Sequence, residues 1–398
     1  MFDMRMNSGL NSGLISRIDR RKLLAAGALA VLAGCTVVPE APAPTAPPPK
    51  PTPSESAIPV DSERHRVALL VPTTGANGAV GQSIANAANM ALLDTSANNI
   101  RVTIYDTATN PGEAAKRAVT EGNKLILGPL LADDIPAVAA VARPAKVPLI
   151  SFSNDEKAAG KDVYVMGNLP GQSIARTVAF ARSQGITSFG ALVPRGEYGD
   201  RTSAVLLDAA RANGASVAAL EPYDRTAASI SAAAGRIREK GGYQALLIAD
   251  AGNMSAKGAS AFRAGGGSSA VRLLGTELWS GEREVTSNRA FDGAWFSSVS
   301  DVRFGQFAKS YRSRFGAQPF RIATLGYDAV LLTLRVAREW TPGKIFPTGE
   351  IMESGGFLGL DGPFRFSKNG VVERALEVRQ IDKGAIKVVS AAPTKFGR

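Results

Sequence analysis

Short apolar runs alternate with helical ones from Val67 onward, and past residue 185 the alternation starts again. Val67-Ala-Leu-Leu-Val71 reads as a buried strand, followed by a Gly-rich loop and an alanine-rich helix from about Gly81 to Asp94. Residues 102–105, a helix starting near Pro111, residues 125–127, another helix and residues 147–150 complete the first series. The second series places strands at 189–193, 217–220, 245–248 and 272–274, again with helices between them. Strands apolar on both faces and joined through helices predict parallel sheets covered on both sides. The fold class is therefore α/β with two lobes, each a parallel sheet flanked by helices. Such lobes leave a cleft between the carboxyl ends of their strands, where ligands of these sheets bind.

One pentapeptide occurs twice, Gly81-Gln-Ser-Ile-Ala85 and Gly171-Gln-Ser-Ile-Ala175. It predicts equivalent first helices in the two halves, with Ser83 and Ser173 available to satisfy orphan backbone donors of the first turn. Near the C-terminus, Phe364-Arg-Phe366 and Ala375 to Ile381 flank Lys368-Asn369-Gly370, and Asp382-Lys383-Gly384 leads into residues 386–389. Asn-Gly between alternating runs signals a hairpin, so an antiparallel meander appended to the α/β body is expected.

The first 35 residues carry an address. Arg20, Arg21 and Lys22 precede an apolar run from Leu23 to Ala33, and Leu32-Ala33-Gly34 leads into Cys35, the only cysteine. That is the layout of an export signal. The run is about half the length a membrane-spanning helix needs. Residues 32–35 resemble a bacterial lipobox, which makes Cys35 the lipidated mature N-terminus. An ordinary secretory signal would look similar, but the sole cysteine falls where acylation requires it. Both the general secretory route and the twin-arginine route remain open at Arg20-Arg21. Thr36 stands where the lipoproteins this resembles carry an aspartate for inner-membrane retention. The expected location is the periplasm, with the lipid in the inner leaflet of the outer membrane.

Of the formal charge of +11, the signal contributes about +3, which leaves the mature chain near +8. Export removes nucleic acid as a partner for that charge. With Cys35 acylated, the fold stands on packing without a disulfide. Residues 36–64 hold nine prolines and almost no large apolar side chain before Ile58, a composition that favours polyproline II. They read either as a passive spacer or as a tether that lets the folded part work away from its membrane. The expected organisation is 1–34 signal peptide, 35–64 lipidated cysteine and tether, 65–166 plus 300–345 first lobe, and 167–299 plus 346–390 second lobe.

The stretch from Val67 to Asp94 resembles the opening of type I periplasmic binding proteins of the leucine-binding class. So do Leu127-Gly128-Pro129-Leu130, Val147-Pro148-Leu-Ile-Ser151, Tyr198-Gly199, Leu325-Gly326-Tyr327-Asp328-Ala329 and Gly359-Leu-Asp-Gly-Pro-Phe364. Val165-Met-Gly167 leading into Gln172, a late Glu373-Arg374 and the anchored form are most similar to the branch named penicillin-binding-protein activators. The resemblance covers about residues 65 to 390 and implies three crossovers between the lobes.

In amino-acid-binding members of that class, two loops hold the ligand's carboxylate and ammonium. The matching places here are Leu131-Ala132-Asp133-Asp134 and Ser151-Phe152-Ser153-Asn154-Asp155. Carboxylates thus stand where hydroxyls would be needed, and a ligand carboxylate beside an ionised aspartate is repelled in a poorly hydrated cleft. Asp133 and Asp134 also suit a helix's first turn, where the macrodipole favours acids. The candidate cleft residues are Asn77, Gln82, Leu131, Asp133, Ser153, Asp155, Tyr198, Asp250 and Glu277, near strand ends. A cationic or neutral polar ligand is favoured over an anion.

Gly75-Ala-Asn-Gly78-Ala-Val-Gly81 has the wrong spacing for a dinucleotide loop, although Asp106 lies at a suitable distance from it. His65, the only histidine, sits at the tether's end with no general base beside it in sequence. Cysteine–histidine metal binding is excluded by count. No catalytic residue, metal or cofactor is expected, and the chain is read as a non-enzyme. Phe304, Phe307, Tyr311 and Phe315 share one helical face and predict a core-facing helix whose other side carries Arg303, Lys309, Arg312 and Arg314. Two functions fit. One is a regulator that contacts a peptidoglycan synthase (a penicillin-binding protein) across the cell wall. That regulator is the preferred reading, and the alternative is the solute-binding receptor of an ABC transporter for an amino acid or other small polar ligand.

Overall fold

The computed structural model describes residues 63–396. The signal segment, Cys35 and nearly all of the Pro-rich segment lie outside them. The first sheet is built from β1 (His65–Val71), β2 (Ile100–Asp106), β3 (Leu125–Leu127), β4 (Leu149–Ser151) and β5 (Val163–Val165), in the order β2-β1-β3-β4-β5 and parallel throughout. Helices α1 (Gly78–Asp94), α2 (Pro111–Thr120) and α3 (Ile135–Ala142) cover it. The central strand β1 is apolar on both faces, and Val67 to Val71 are fully buried. Truncating Leu69 or Leu70 to alanine would cost roughly 2–5 kcal/mol, counting transfer and cavity together.

The second lobe follows the same logic. Between α4 (Pro170–Ser183) and the end of the lobe run β6 (Ser188–Pro194), α5 (Glu197–Ala212), β7 (Ser216–Tyr223), α6 (Ala227–Lys240), β8 (Ala245–Ile248), α7 (Gly252–Ala264), β9 (Arg272–Leu274), the short α8 (Arg283–Thr286) and β10 (Trp295–Ser298). The chain then returns to the first lobe through α9 (Phe304–Phe315) and α10 (Thr324–Val336). After them come β11 (Phe357–Gly359), β12 (Gly362–Phe366), β13 (Val372–Arg374), β14 (Glu377–Asp382) and β15 (Ala385–Ser390). The second sheet has the order β15-β14-β10-β9-β8-β6-β7, with β14 and β15 antiparallel on its edge.

The lobes repeat each other, but not where the pentapeptide points. Helix α1 follows β1, whereas α4 precedes β6, so the two copies sit in different structural contexts. The matching pair is β1–Pro72–α1 with β6–Pro194–α5. A Cβ on Gly81 would lie 1.8 Å from the Pro72 carbonyl oxygen, and one on Gly199 would lie 1.6 Å from that of Pro194. Each strand-to-helix turn brings the helix backbone against the proline carbonyl at the strand's exit, and only glycine fits there. The two serines do not cap either. Ser83 Oγ accepts from Phe320 N at 3.1 Å, and Ser173 Oγ donates to Ser297 O at 2.6 Å, so both tie their helices to other elements.

Two other expectations are corrected. Phe364-Arg-Phe366 pairs with Val372–Arg374 rather than with 375–381, forming a separate three-stranded sheet β11-β12-β13. The remaining strands, β14 and β15, join the second sheet around a two-residue Lys383-Gly384 turn, both residues at positive φ. The appended meander is thus two units in two places. As a result, residues 346–374 belong with the first lobe, where Phe346, Ile351, Phe364, Phe366 and Val372 enter its core. Only β14 and β15 return to the second lobe. The aromatic face of α9 packs as expected: Phe307 and Tyr311 are buried against Ala87, Met90 and Ala323.

Candidate functional site

The loops at the carboxyl ends of the two sheets carry the residues that meet across the cleft. After β4, Phe152 N donates to Pro129 O and Ser151 Oγ donates to the same carbonyl, which braces the 152–155 loop on the Gly128-Pro129 segment. Ser153 Oγ accepts from Asp155 N at 3.0 Å, and Asp155 accepts from Lys157 N at 3.1 Å. From the second lobe, Arg201 on α5 reaches this loop. Its guanidinium pairs with Asp155 at 3.1 Å and donates to Asn154 O at 3.2 Å. Asp155 is therefore a paired carboxylate, its charge shared with Arg201.

Close enough to feel the Arg201 charge lies a buried acid, Glu277. Glu277 opens the short 3-10 turn after β9, and neither of its carboxylate oxygens has a hydrogen-bond partner although both are buried. Burial pushes its pKa up to about 8; its own backbone N–H, the Tyr198 and Thr276 hydroxyls and the Arg201 charge lie near enough to oppose this in part, but none is in hydrogen-bond geometry to the carboxyl. Arg201 Nε is likewise buried without an acceptor. Tyr198, at the start of α5, shares a 3.2 Å hydrogen bond with Thr276 Oγ1, and burial followed by the Glu277 charge drives its phenol well above the ordinary range. The neighbouring Asp250 is fully engaged: it accepts from Tyr223 at 2.8 Å, Arg225 at 3.1 Å and Ala251 N at 2.8 Å. Its role is to anchor, and Arg225 in turn lies 6.0 Å from the Tyr198 ring.

The structure thus brings Ser153, Asp155, Tyr198, Asp250 and Glu277 into linked positions. It separates the other candidates from them. Gln82 donates to Asn86 at 2.9 Å, and Asn86 donates to Tyr311 at 3.1 Å, so Gln82 belongs to the α1–α9 contact. Asn77 is exposed and makes no side-chain cap for α1. Leu131 and Asp133 are exposed on the turn after β3. Asp106 has a structural task, since it accepts from Thr73 N, Thr74 Oγ1 and Ala108 N. Slight burial would raise its pKa, but these donors outweigh it and hold the carboxyl at about 2. His65 stacks on Trp340 at 4.1 Å, and burial lowers its pKa.

Sequence reasoning missed Arg201 and Thr276, and it also missed a second polar cluster at the hinge. Arg379 on β14 pairs with Glu377 at 2.7 Å and with Asp301, and donates to Val299 O. Arg321 pairs with Asp361 at 2.7 Å and with Asp301 at 3.1 Å. Arg374 donates to Met166 O at 2.7 Å, while its backbone N–H donates to Gln172. The three chain crossings between the lobes are thereby bonded to one another. Asp328 accepts from Leu360 N at 2.6 Å, which joins two of the segments that carried the family resemblance. Burial and the neighbouring Asp361 raise its pKa.

A two-lobed α/β fold with its cleft at the strands' carboxyl ends defines a binding protein. The family model described as periplasmic binding protein matches residues 65–385, and the chain belongs to that family. Its location is accordingly extracytoplasmic. Among the described residues no helix is long and apolar enough to cross a membrane.

Three solved structures illustrate the fold. A putative branched-chain amino acid ABC transporter protein from Rhodospirillum rubrum is 19% identical with a TM-score of 0.73, covering 82% of this chain and 100% of that one. A solute-binding protein from Rhodopseudomonas palustris BisB5, in complex with 3,4-dihydroxybenzoic acid, is 19% identical with a TM-score of 0.63, covering 84% and 96%. The substrate-binding protein LivJ from Streptococcus pneumoniae, in complex with isoleucine, is 18% identical with a TM-score of 0.62, covering 83% and 100%. A curated relative, uncharacterized protein RP748 of Rickettsia prowazekii, is 28% identical over 142 residues. The match spans 35% of this chain and 38% of the length of that relative.

Proposed function

We propose that this chain is an exported solute-binding receptor whose two lobes close on a small polar ligand bearing a cationic or donor-rich group. The observation that carries this reading is Glu277. A buried carboxylate with both oxygens unpartnered costs several kcal/mol unless the group is neutral or a partner arrives. A ligand ammonium or a cluster of donors supplies that partner. Tyr198 and Thr276 add hydroxyls to the same side of the cleft. Ligand-bound relatives of the same fold, with isoleucine or 3,4-dihydroxybenzoic acid, support a small-molecule cleft in general.

Calorimetry on the full chain with a panel of amines, neutral amides, branched-chain amino acids and benzoates tests this reading. Amines or amides are expected to bind, and Glu277→Gln to weaken them by tenfold or more. Leucine, isoleucine and valine are expected not to bind, because their carboxylate would enter a cleft lined by Asp155 and Glu277 and be repelled there. Binding by benzoates alone would contradict the reading.

A second reading has its own support. In it the chain is lipidated at Cys35, held at the outer membrane and regulates a peptidoglycan synthase by protein contact. The Pro-rich segment 36–64 favours it, since a polyproline stretch of that length extends to roughly 90 Å, as does the Arg201–Asp155 pair that joins the lobes directly. Shortening residues 38–60 should abolish cell-wall stimulation under this reading while leaving folding intact. Unchanged synthesis after the deletion leaves the receptor.

A further inference from the structure

Arg201 is incompletely used. Of its donors, Nη2 meets Asp155 and Nη1 meets Asn154 O, while Nε is buried with no acceptor. Both charged side chains are largely shielded, Arg201 at 11% and Asp155 at 16% exposed. The pair spans the cleft: Arg201 rises from α5 of the second lobe, and Asp155 sits on the loop after β4 of the first. A bond placed there resists opening of the lobes, whereas the hinge cluster lies at the crossings about which they turn. Arg201 therefore does what a bound solute does in a two-lobed receptor, since it contacts both lobes at once.

We propose that Arg201 is the chain's own occupant of the cleft, holding the lobes together through Asp155 and Asn154 until a solute displaces it. This rests on the receptor reading for the displacement step only; the latch itself needs no ligand. Three features suit a displaceable occupant better than a permanent brace. The guanidinium leaves one donor unsatisfied, so exchanging it for a better-matched group carries little penalty. The adjoining Glu277 carboxylate is also unsatisfied, so a solute cation gains a partner that Arg201 does not use. The latch is a single charged pair, which can bias an open–closed equilibrium without fixing it. The chemical class able to compete is a guanidinium or amine cation small enough to sit between Asp155 and Glu277.

The test measures the distance between spin labels at Lys116→Cys on α2 and Asp208→Cys on α5, in the full chain carrying Cys35→Ser. Arg201→Ala is expected to lengthen and broaden the distance distribution without any ligand. The near-isosteric Asp155→Asn is expected to do the same, and it serves if Arg201→Ala folds poorly. Ethylguanidinium, which replaces the deleted side chain, should restore the short distance in Arg201→Ala but not in the Arg201→Ala/Asp155→Asn double variant. Unchanged distances in both single variants overturn the proposal. So do lengthened distances that ethylguanidinium fails to reverse. A latch that works while no solute binds the unaltered chain would sink the receptor reading and leave the latch standing. Solute binding with an inert latch would do the opposite.

Discussion

The hinge and the cleft are both polar and largely buried, yet they differ in how they treat carboxylates: those of the hinge are paired with arginines, and that of Glu277 is not. At the hinge, Arg379 and Arg321 each meet two carboxylates and at least one backbone carbonyl, and Asp301 is shared between them, while Arg374 beside them keeps Nε and Nη1 buried without an acceptor. At the cleft, Arg201 has one carboxylate partner and Glu277 has none. A satisfied network specifies one arrangement of the chain, while an unsatisfied group keeps a place for something absent from the fold. The difference separates the part of the molecule that holds the lobes in register from the part that recognises.

The sharpest way to break this comparison is at the hinge. Arg379→Met leaves Glu377 and the Val299 carbonyl without their buried partner, and it should destabilise the protein by roughly 3–5 kcal/mol in chemical denaturation. A loss below about 1 kcal/mol would mean that the network is not structural. The cleft should respond with the opposite sign. Folded Glu277 is neutral up to about pH 8, while the unfolded chain ionises it near its ordinary 4.5. Between those values the unfolded state binds fewer protons, so the ligand-free protein loses stability as pH rises from about 4.5 to about 8. Glu277→Gln removes that loss. Its advantage over the unaltered chain should grow across this window to about 4 kcal/mol at pH 8, and thermal unfolding at pH 5 and pH 8 reads most of it. An advantage independent of pH would place the Glu277 titration elsewhere.

Much of the fold was legible in the sequence because fully buried parallel strands are written as unbroken apolar runs, as in Val67–Val71 and Ala245–Ile248. Less could be read where the signal is short or the pairing distant. Strands β5 and β10 are three and four residues long, and Trp295-Phe-Ser-Ser has no apolar run after its aromatics. The repeated Gly-Gln-Ser-Ile-Ala misled, since local identity says nothing of which strand a helix follows. The true repeat, Pro72 with Gly81 and Pro194 with Gly199, differs in spacing and becomes visible only as two close backbone approaches. At the site, Tyr198 and Glu277 could be named because both follow strand ends. Arg201 could not, because its partner Asp155 comes from the other lobe and no local pattern links the two.

The central claim is that Glu277 is the unfilled half of a ligand contact, and proton counting tests it most directly. Titration of the tightest-binding amine into the full chain at pH 7, in two buffers of different ionisation enthalpy, reports the protons exchanged on binding. A carboxyl with a pKa near 8 is mostly protonated at that pH and must ionise to pair with a cation. Release of nearly one proton per amine bound, abolished in Glu277→Gln, is the predicted result. Binding without proton release, or release that persists in Glu277→Gln, would contradict it.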